Sequence, residues 1–259
     1  MSLPRCPSAH ERWAVFLDVD GTLLELADTP DAVHVSSALV GLLEVLDRVL
    51  DGALALVSGR PLDELDRLFR PVRLAAAGVH GAELRLPDGR VARAPVDRDA
   101  LAQVRQAFSA FAGTHPGVLV EDKGAGVTLH YRLAPSLADE ARTLGTEWAG
   151  RVGDDFQLLQ GKMVVELRAR SATKGTAVRQ YLAEPPFSGR RAVYLGDDVT
   201  DEDAFAAVNQ LGGISVVVGD RQPSAARFRL PDVAAVHVWL AGLAEHLERH
   251  RGPSNSGLA

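Results

Sequence analysis

The chain has 259 residues, of which 46% are apolar, 24% charged and 5% aromatic, the make-up of a globular protein with room for one large folding unit or two small ones. Its formal net charge is -6, which weighs against a nucleic-acid partner but leaves room for a small anionic ligand held by a few local cations. Cys6 is the only cysteine, so an intramolecular disulfide and a multi-cysteine metal site are excluded, and apolar stretches such as Ile214 to Val218 fall far short of a membrane span.

Trp13 to Leu17 is a short apolar run closed by Asp18-Val19-Asp20-Gly21-Thr22, the pattern of a buried parallel strand. Preceded by Arg12 and followed at once by Asp18, it is too short for a signal peptide, and the expected compartment is the cytoplasm. Leu39, Leu42, Leu43, Leu46, Val49 and Leu50 then recur at helical spacing. A second strand, Ala53 to Val57, ends in Ser58-Gly59-Arg60-Pro61, and Pro61 suits the first turn of a helix carrying Leu62, Leu65 and Leu68. Leu74 to Ala77 is a third strand, ending in Gly78-Val79-His80-Gly81. This alternation predicts an α/β fold with a parallel sheet.

The rhythm changes near residue 83. Glu83 to Leu86 and Val91 to Ala94 flank Pro87-Asp88-Gly89-Arg90 as a hairpin. Helices are predicted over about 97–112 and 136–150, each followed by two strands: Val118–Glu121 with Gly126–Arg132, and Phe156–Leu159 with Met163–Arg168. That is an α+β unit with its own antiparallel sheet. The βα rhythm returns with a helix after Thr173-Lys174-Gly175. A strand from Ala192 to Leu195 ends in Gly196-Asp197-Asp198, another spans Ile214 to Val218, and a last helix covers about Ala235 to Glu248. The expected layout is a discontinuous Rossmann-like core, 1–95 with 170–259, interrupted by an inserted α+β unit at 96–169. The Gly-rich tail from Gly252 to Ala259 reads as disordered.

Open parallel sheets bind ligands beyond the carboxyl ends of their strands. Asp18 and Asp20, Ser58, Lys174, and Asp197, Asp198 and Asp201 all fall at such ends or at helix starts. Crowded carboxylates repel one another unless a cation joins them, and oxygen donors without His or Cys favour Mg²⁺ beside a substrate phosphate. Asp18 is then placed as a carboxylate nucleophile on phosphorus, and Asp20 as the acid that protonates the leaving alcohol and the base that activates water. Ser58 and Lys174 would hold the phosphoryl oxygens, with Thr22 bonding phosphate or backbone. Only three of the 28 basic residues are lysines: Lys123, Lys162 and Lys174. Taken singly, each cluster has a plainer structural use. Asp-x-Asp closes turns, Ser58-Gly59 is a turn, a lysine at a helix start is usually solvated, and Asp197-Asp198 caps a helix. Together and in this order they are hard to explain as turns.

Asp18-Val19-Asp20-Gly21-Thr22, Ser58, Lys174 and Gly196-Asp197-Asp198-x-x-Asp201 resemble the four ordered motifs of haloacid-dehalogenase-superfamily (HAD) phosphatases. The inserted unit resembles that superfamily's larger α+β cap, the C2B type. The resemblance implies that Mg²⁺ is held by the Asp18 carboxylate, the Asp20 backbone carbonyl and Asp197, with Asp198 and Asp201 in support. Further segments, among them Ser58-Gly59-Arg60, Gly78-Val79-His80-Gly81-Ala82-Glu83, Glu121-Asp122-Lys123-Gly124, Leu129-His130-Tyr131-Arg132 and Gln160-Gly161-Lys162, are similar to bacterial trehalose-6-phosphate phosphatases. That likeness implies a disaccharide phosphate substrate whose sugar meets Glu121, Lys123 and Glu166. Thr22, Gly59, Arg60, His80, Arg132 and Lys162 are further substrate-binding candidates. His80 serves equally as a residue that holds its loop, and Arg132 as a structural ion pair. Two other functions stay open on the sequence: a phosphatase of another sugar phosphate, such as sucrose 6-phosphate or a mannosyl phosphoglycerate, and a sugar-phosphate sensor without catalysis.

Overall fold

The computed structural model describes residues 7–8, 11–26, 33–161 and 163–250; Cys6, Lys162 and the Gly-rich tail lie outside them. The chain divides into two compact units, Met1–Ala92 with Thr173–Ala259, and Arg93–Ala172.

In chain order the first unit opens with β1 (Trp13–Leu17), α1 (Ser37–Val49), β2 (Leu54–Val57), α2 (Leu62–Leu68), β3 (Ala75–Gly78), β4 (Glu83–Arg85) and β5 (Val91–Arg93). The second unit follows, with α3 (Arg98–Thr114), β6 (Leu119–Asp122), β7 (Gly126–His130), α4 (Ala138–Val152), β8 (Phe156–Gly161) and β9 (Val164–Ala169). The first unit resumes as α5 (Lys174–Leu182), β10 (Arg191–Gly196), α6 (Glu202–Gln210), β11 (Ile214–Val218), β12 (Phe228–Leu230) and α7 (Val233–His250). None of the helices formed by the described residues is long and apolar enough to cross a membrane.

The first unit is built on one sheet in the order β12-β11-β10-β1-β2-β3-β4-β5. Pairing is parallel from β12 through β3, and β4 runs antiparallel to β3. All five residues of β1 are buried, as a strand covered on both faces requires. In α1, Leu39, Leu43 and Leu46 form the inward stripe, and the Ser36 side chain accepts from the Leu39 N–H at 3.2 Å to start the helix. Burying each such leucine stabilises the fold by roughly 2 kcal/mol. Register sets Leu17 of β1 opposite Leu56 of β2 and Leu195 of β10. The residues just past these three strands therefore share one rim, where the strand order departs from chain order between β1 and β10.

The second unit is a four-stranded antiparallel sheet, β6-β7-β9-β8. Val127, Leu129, Val165 and Leu167 are fully buried on one face. Gly145 of α4 lies against Val165 and Leu158, where a Cβ would collide with both side chains, so this face is the one the helices cover. Side chains alternate along a strand, which sends Glu121, Thr128 and Glu166 to the other face.

Candidate active site

Asp18 follows β1 directly and is almost wholly buried, with its N–H donating to the Leu195 carbonyl at 3.0 Å. Lys174 is the first residue of α5, whose start is fixed by a capping box between Thr173 and Thr176. The Lys174 ammonium donates to Asp18 Oδ1 and to Asp201 Oδ1, both at 2.7 Å, and all three side chains are at most 5% exposed. Asp201 also accepts from the Tyr194 hydroxyl at 2.6 Å, and its Oδ2 accepts from the backbone N–H groups of Asp197 at 3.1 Å and Asp198 at 2.9 Å. Both Asp201 oxygens are thus committed to holding the loop after β10 and the ammonium.

Electrostatics follow from this packing. Burial alone would push the Lys174 ammonium down, but Asp18 and Asp201 outweigh it, and the group stays charged well above its ordinary range. The Asp18 carboxyl is driven far up, by burial first and by the Asp201 charge second, against the pull of Lys174. Asp197 is pushed up to about 6, again by burial and then by Asp201. Two neighbouring carboxyls that resist ionisation mark a place short of positive charge. Asp18, Asp197 and Asp201 each bring a carboxylate oxygen within 4.8 Å of the others. With Asp201 spoken for, Asp18 and Asp197 are the carboxylates left to hold a cation, and an all-oxygen donor set suits a hard divalent ion.

The other candidates sit around this cluster with defined partners. Asp20 is gripped by Arg60 through two bonds of 2.7 Å, Nε to Oδ2 and one terminal nitrogen to Oδ1, while Arg60 also reaches Glu64 at 3.2 Å. In this structure Arg60, expected on the substrate, holds Asp20. Thr22 likewise has a protein partner: its hydroxyl donates to Asp197 Oδ1 at 3.4 Å. Gly21, at φ +83°, lets the chain turn where a Cβ would land on the Asp197 carboxylate. Ser58, 1% exposed, accepts from the Arg60 N–H at 3.1 Å, and its carbonyl accepts from the His80 N–H at 2.9 Å. The His80 ring lies against Gly59, which has no side chain to obstruct it. Asp198 is exposed, and its carboxylate stands 4.0 Å from Arg221.

Val79 and His80 both adopt left-handed backbone, at φ 49° and 54°. For a β-branched residue this is a strained conformation worth about 1–3 kcal/mol, and such strain gathers at functional sites. Val79→Asn, which tolerates that region, is expected to stabilise the protein by about 1 kcal/mol in urea unfolding. A loss of stability would mean that the valine side chain contributes more than its backbone costs.

In the second unit Glu121 Oε2 meets His130 Nε2 at 2.9 Å and the Lys123 ammonium at 3.8 Å. The bond to His130, ahead of the Lys123 charge, holds the Glu121 carboxyl below its ordinary range. Glu166 is buried in the same cross-strand row of the sheet as Glu121, and Arg132 is exposed past the end of β7. Two participants escaped the sequence: His130, quoted in a motif but given no task, and Tyr194. The available signal for Tyr194 was a lone hydroxyl inside an otherwise aliphatic strand.

The family model for trehalose-phosphatase matches residues 16–234. The chain is 50% identical over 236 residues to a Sinorhizobium fredii protein named "Probable trehalose-phosphate phosphatase", covering 90% of this chain and 88% of that one. It is 40% identical over 258 residues to the trehalose-6-phosphate phosphatase of Escherichia coli, covering 98% and 95%. Among solved structures, an Aspergillus fumigatus trehalose-6-phosphate phosphatase superposes with a TM-score of 0.69 at 26% identity, over 91% of this chain and 93% of that one. A haloacid dehalogenase-like hydrolase from Bacteroides thetaiotaomicron shares the fold, with a TM-score of 0.64 at 16% identity. With a family model spanning most of its length and relatives matched almost end to end, the chain belongs to the trehalose-phosphatase family.

Proposed function

We propose that this protein is a Mg²⁺-dependent phosphatase that hydrolyses trehalose 6-phosphate to trehalose and phosphate, with Asp18 as nucleophile. The observation that carries this reading is the buried array at the end of the central strand, where Asp18 shares the Lys174 ammonium with Asp201 and stands beside Asp197. The Asp18 and Asp197 carboxylates and the Asp20 backbone carbonyl would hold the ion, with Asp198 and Asp201 in support. Bound there, Mg²⁺ would supply positive charge to the phosphoryl oxygens. The negative charge of the chain favours a small-molecule substrate over nucleic acid, and its single cysteine suits the reducing cytoplasm.

Asp18 attacks phosphorus, the bond to the sugar oxygen breaks, and an aspartyl-phosphate forms. Asp20 gives its proton to the departing alkoxide, then takes one from the water that attacks the aspartyl-phosphate and regenerates Asp18. To do so it must leave the two-pronged grip of Arg60. Two of the three Lys174 N–H groups serve Asp18 and Asp201, and the third remains for a phosphoryl oxygen. The Ser58 O–H is a second donor to phosphate, since its oxygen already accepts from Arg60. Glu121, Lys123 and Glu166 recognise the sugar, and the glucose unit that bears no phosphate contributes binding energy to the reaction.

Phosphate release across a panel of sugar phosphates, with and without a chelator, tests this. Trehalose 6-phosphate should be preferred by kcat/KM over glucose 6-phosphate, and chelation should stop the reaction. Equal use of the two esters would remove the disaccharide assignment, preference for sucrose 6-phosphate would transfer it, and binding without release would indicate a sensor.

The Asp197 shift gives a separate prediction. Its carboxyl lies at about 6 when folded against an ordinary 3.8, so between these values the folded protein holds a proton that the unfolded chain has released. Without metal, this group therefore costs stability as pH rises through that window, and a cation must displace the proton to bind. Addition of Mg²⁺ is expected to raise Tm clearly at about pH 7.5 and much less at about pH 5. Equal shifts at the two pH values would exclude Asp197 from the metal site.

A further inference from the structure

Register sets Glu121, Thr128, Glu166 and Leu159 side by side across β6, β7, β9 and β8. This row lies on the face of the sheet opposite the one that α4 packs against through Gly145. Thr128 is 2% exposed, and its hydroxyl finds no hydrogen-bond partner among the described residues. Buried hydroxyls are nearly always bonded, because leaving one bare costs free energy that a valine of the same shape would not. Its neighbours do not relieve it, and they differ from it in kind. The Glu121 carboxylate is pinned by His130 at 2.9 Å, and Glu166 is itself only 9% exposed. Ionised carboxylates only accept hydrogen bonds, whereas a sugar hydroxyl both gives and receives one. A row of two acids therefore satisfies half of what a sugar hydroxyl needs. The Thr128 O–H supplies the donor, midway between acids held about 10 Å apart by two strand spacings.

We infer that Thr128 is a substrate-contacting, specificity-determining residue whose hydroxyl donates to a ring hydroxyl of the glycosyl unit, flanked by Glu121 and Glu166. This rests on the sugar-phosphate reading above. It also accounts for the bare hydroxyl: the donor is kept for the ligand at a cost to the free protein.

Thr128→Val removes the O–H and keeps the shape, and Thr128→Ser keeps the O–H. The readout is the ratio of kcat/KM for trehalose 6-phosphate to that for p-nitrophenyl phosphate, which has no sugar. For T128V this ratio should fall about three- to tenfold, through KM, with Tm unchanged or raised, while T128S stays within about twofold of wild type. A T128V ratio equal to wild type, or an equal fall in T128S, overturns the inference, since the second result would implicate packing and not the hydroxyl. If T128V does not fold, Thr128→Ala against T128S carries the same comparison. Failure of the underlying reading shows separately: the wild-type protein itself would then have no preference for trehalose 6-phosphate, and the inference would fall with it.

Discussion

Asp18→Asn should lower kcat by about 10⁴- to 10⁶-fold, the usual consequence of deleting a covalent nucleophile, while leaving the protein as stable as before. The two halves of that statement have separate causes. The amide fits the same space but cannot form the acyl phosphate. In the fold, Asp18 resists ionisation because it is buried and faces Asp201, so a neutral group there removes repulsion as well as attraction to Lys174. In the presence of a chelator, Tm of D18N should therefore match or exceed that of wild type. Turnover within about a hundredfold of wild type would take the nucleophile role away from Asp18. A sharp fall in Tm would mean that the charged carboxylate stabilises the metal-free fold after all.

Lys174→Met should damage both properties. Methionine replaces the stem of the lysine and leaves the charge out, so Asp18 and Asp201 lose the ammonium that both of them touch at 2.7 Å. Breaking a buried pair from one side costs about 3–5 kcal/mol, because the stranded carboxylates have no water to turn to. On the proposed mechanism, loss of the Lys174 donor to the phosphoryl group removes a further 10²- to 10³-fold in kcat, about 3 kcal/mol at the transition state. The stability loss should shrink at about pH 5, where the stranded Asp18 carboxyl, already pushed up by burial, is more readily protonated. Urea unfolding at the two pH values, alongside steady-state rates, checks this. Unchanged stability at neutral pH would show that the ammonium adds nothing to the fold.

Much of this architecture could be read before any coordinates. β1 to β3 and the Ala192–Leu195 stretch of β10 are unbroken apolar runs that stop at polar or glycine residues. Asp18, Ser58 and Asp197 stand out because each interrupts such a run at its carboxyl end, and the structure sets them on one rim. The last strand, Phe228–Leu230, was missed; three residues carry too little periodicity to announce a strand. The last helix begins at Val233, two residues ahead of the expected start. What stayed hidden concerns partners. Arg60 meets Asp20 across 40 positions and Thr22 meets Asp197 across 175, so no local pattern says that these side chains bind each other before they bind anything else. The left-handed turn at Val79 and His80 was equally silent, because valine there runs against its own preference. Tyr194 and Thr128 are ordinary strand residues by composition, and only burial with or without a partner sets them apart.

The inserted segment ends at Ala172, and the very next residues are Thr173, with its self-contained capping box, and Lys174. The helix that presents the ammonium thus organises its own first turn from Thr173 and Thr176, whatever chain arrives in front of it. Residues 93–172 form a cassette by this criterion. If, as proposed, Glu121, Lys123 and Glu166 of this segment recognise the sugar and Asp18 cleaves the ester, exchange for a module of similar build would change which alcohol is recognised, so new substrates could be acquired by recombination at two joints instead of by rebuilding a catalytic centre.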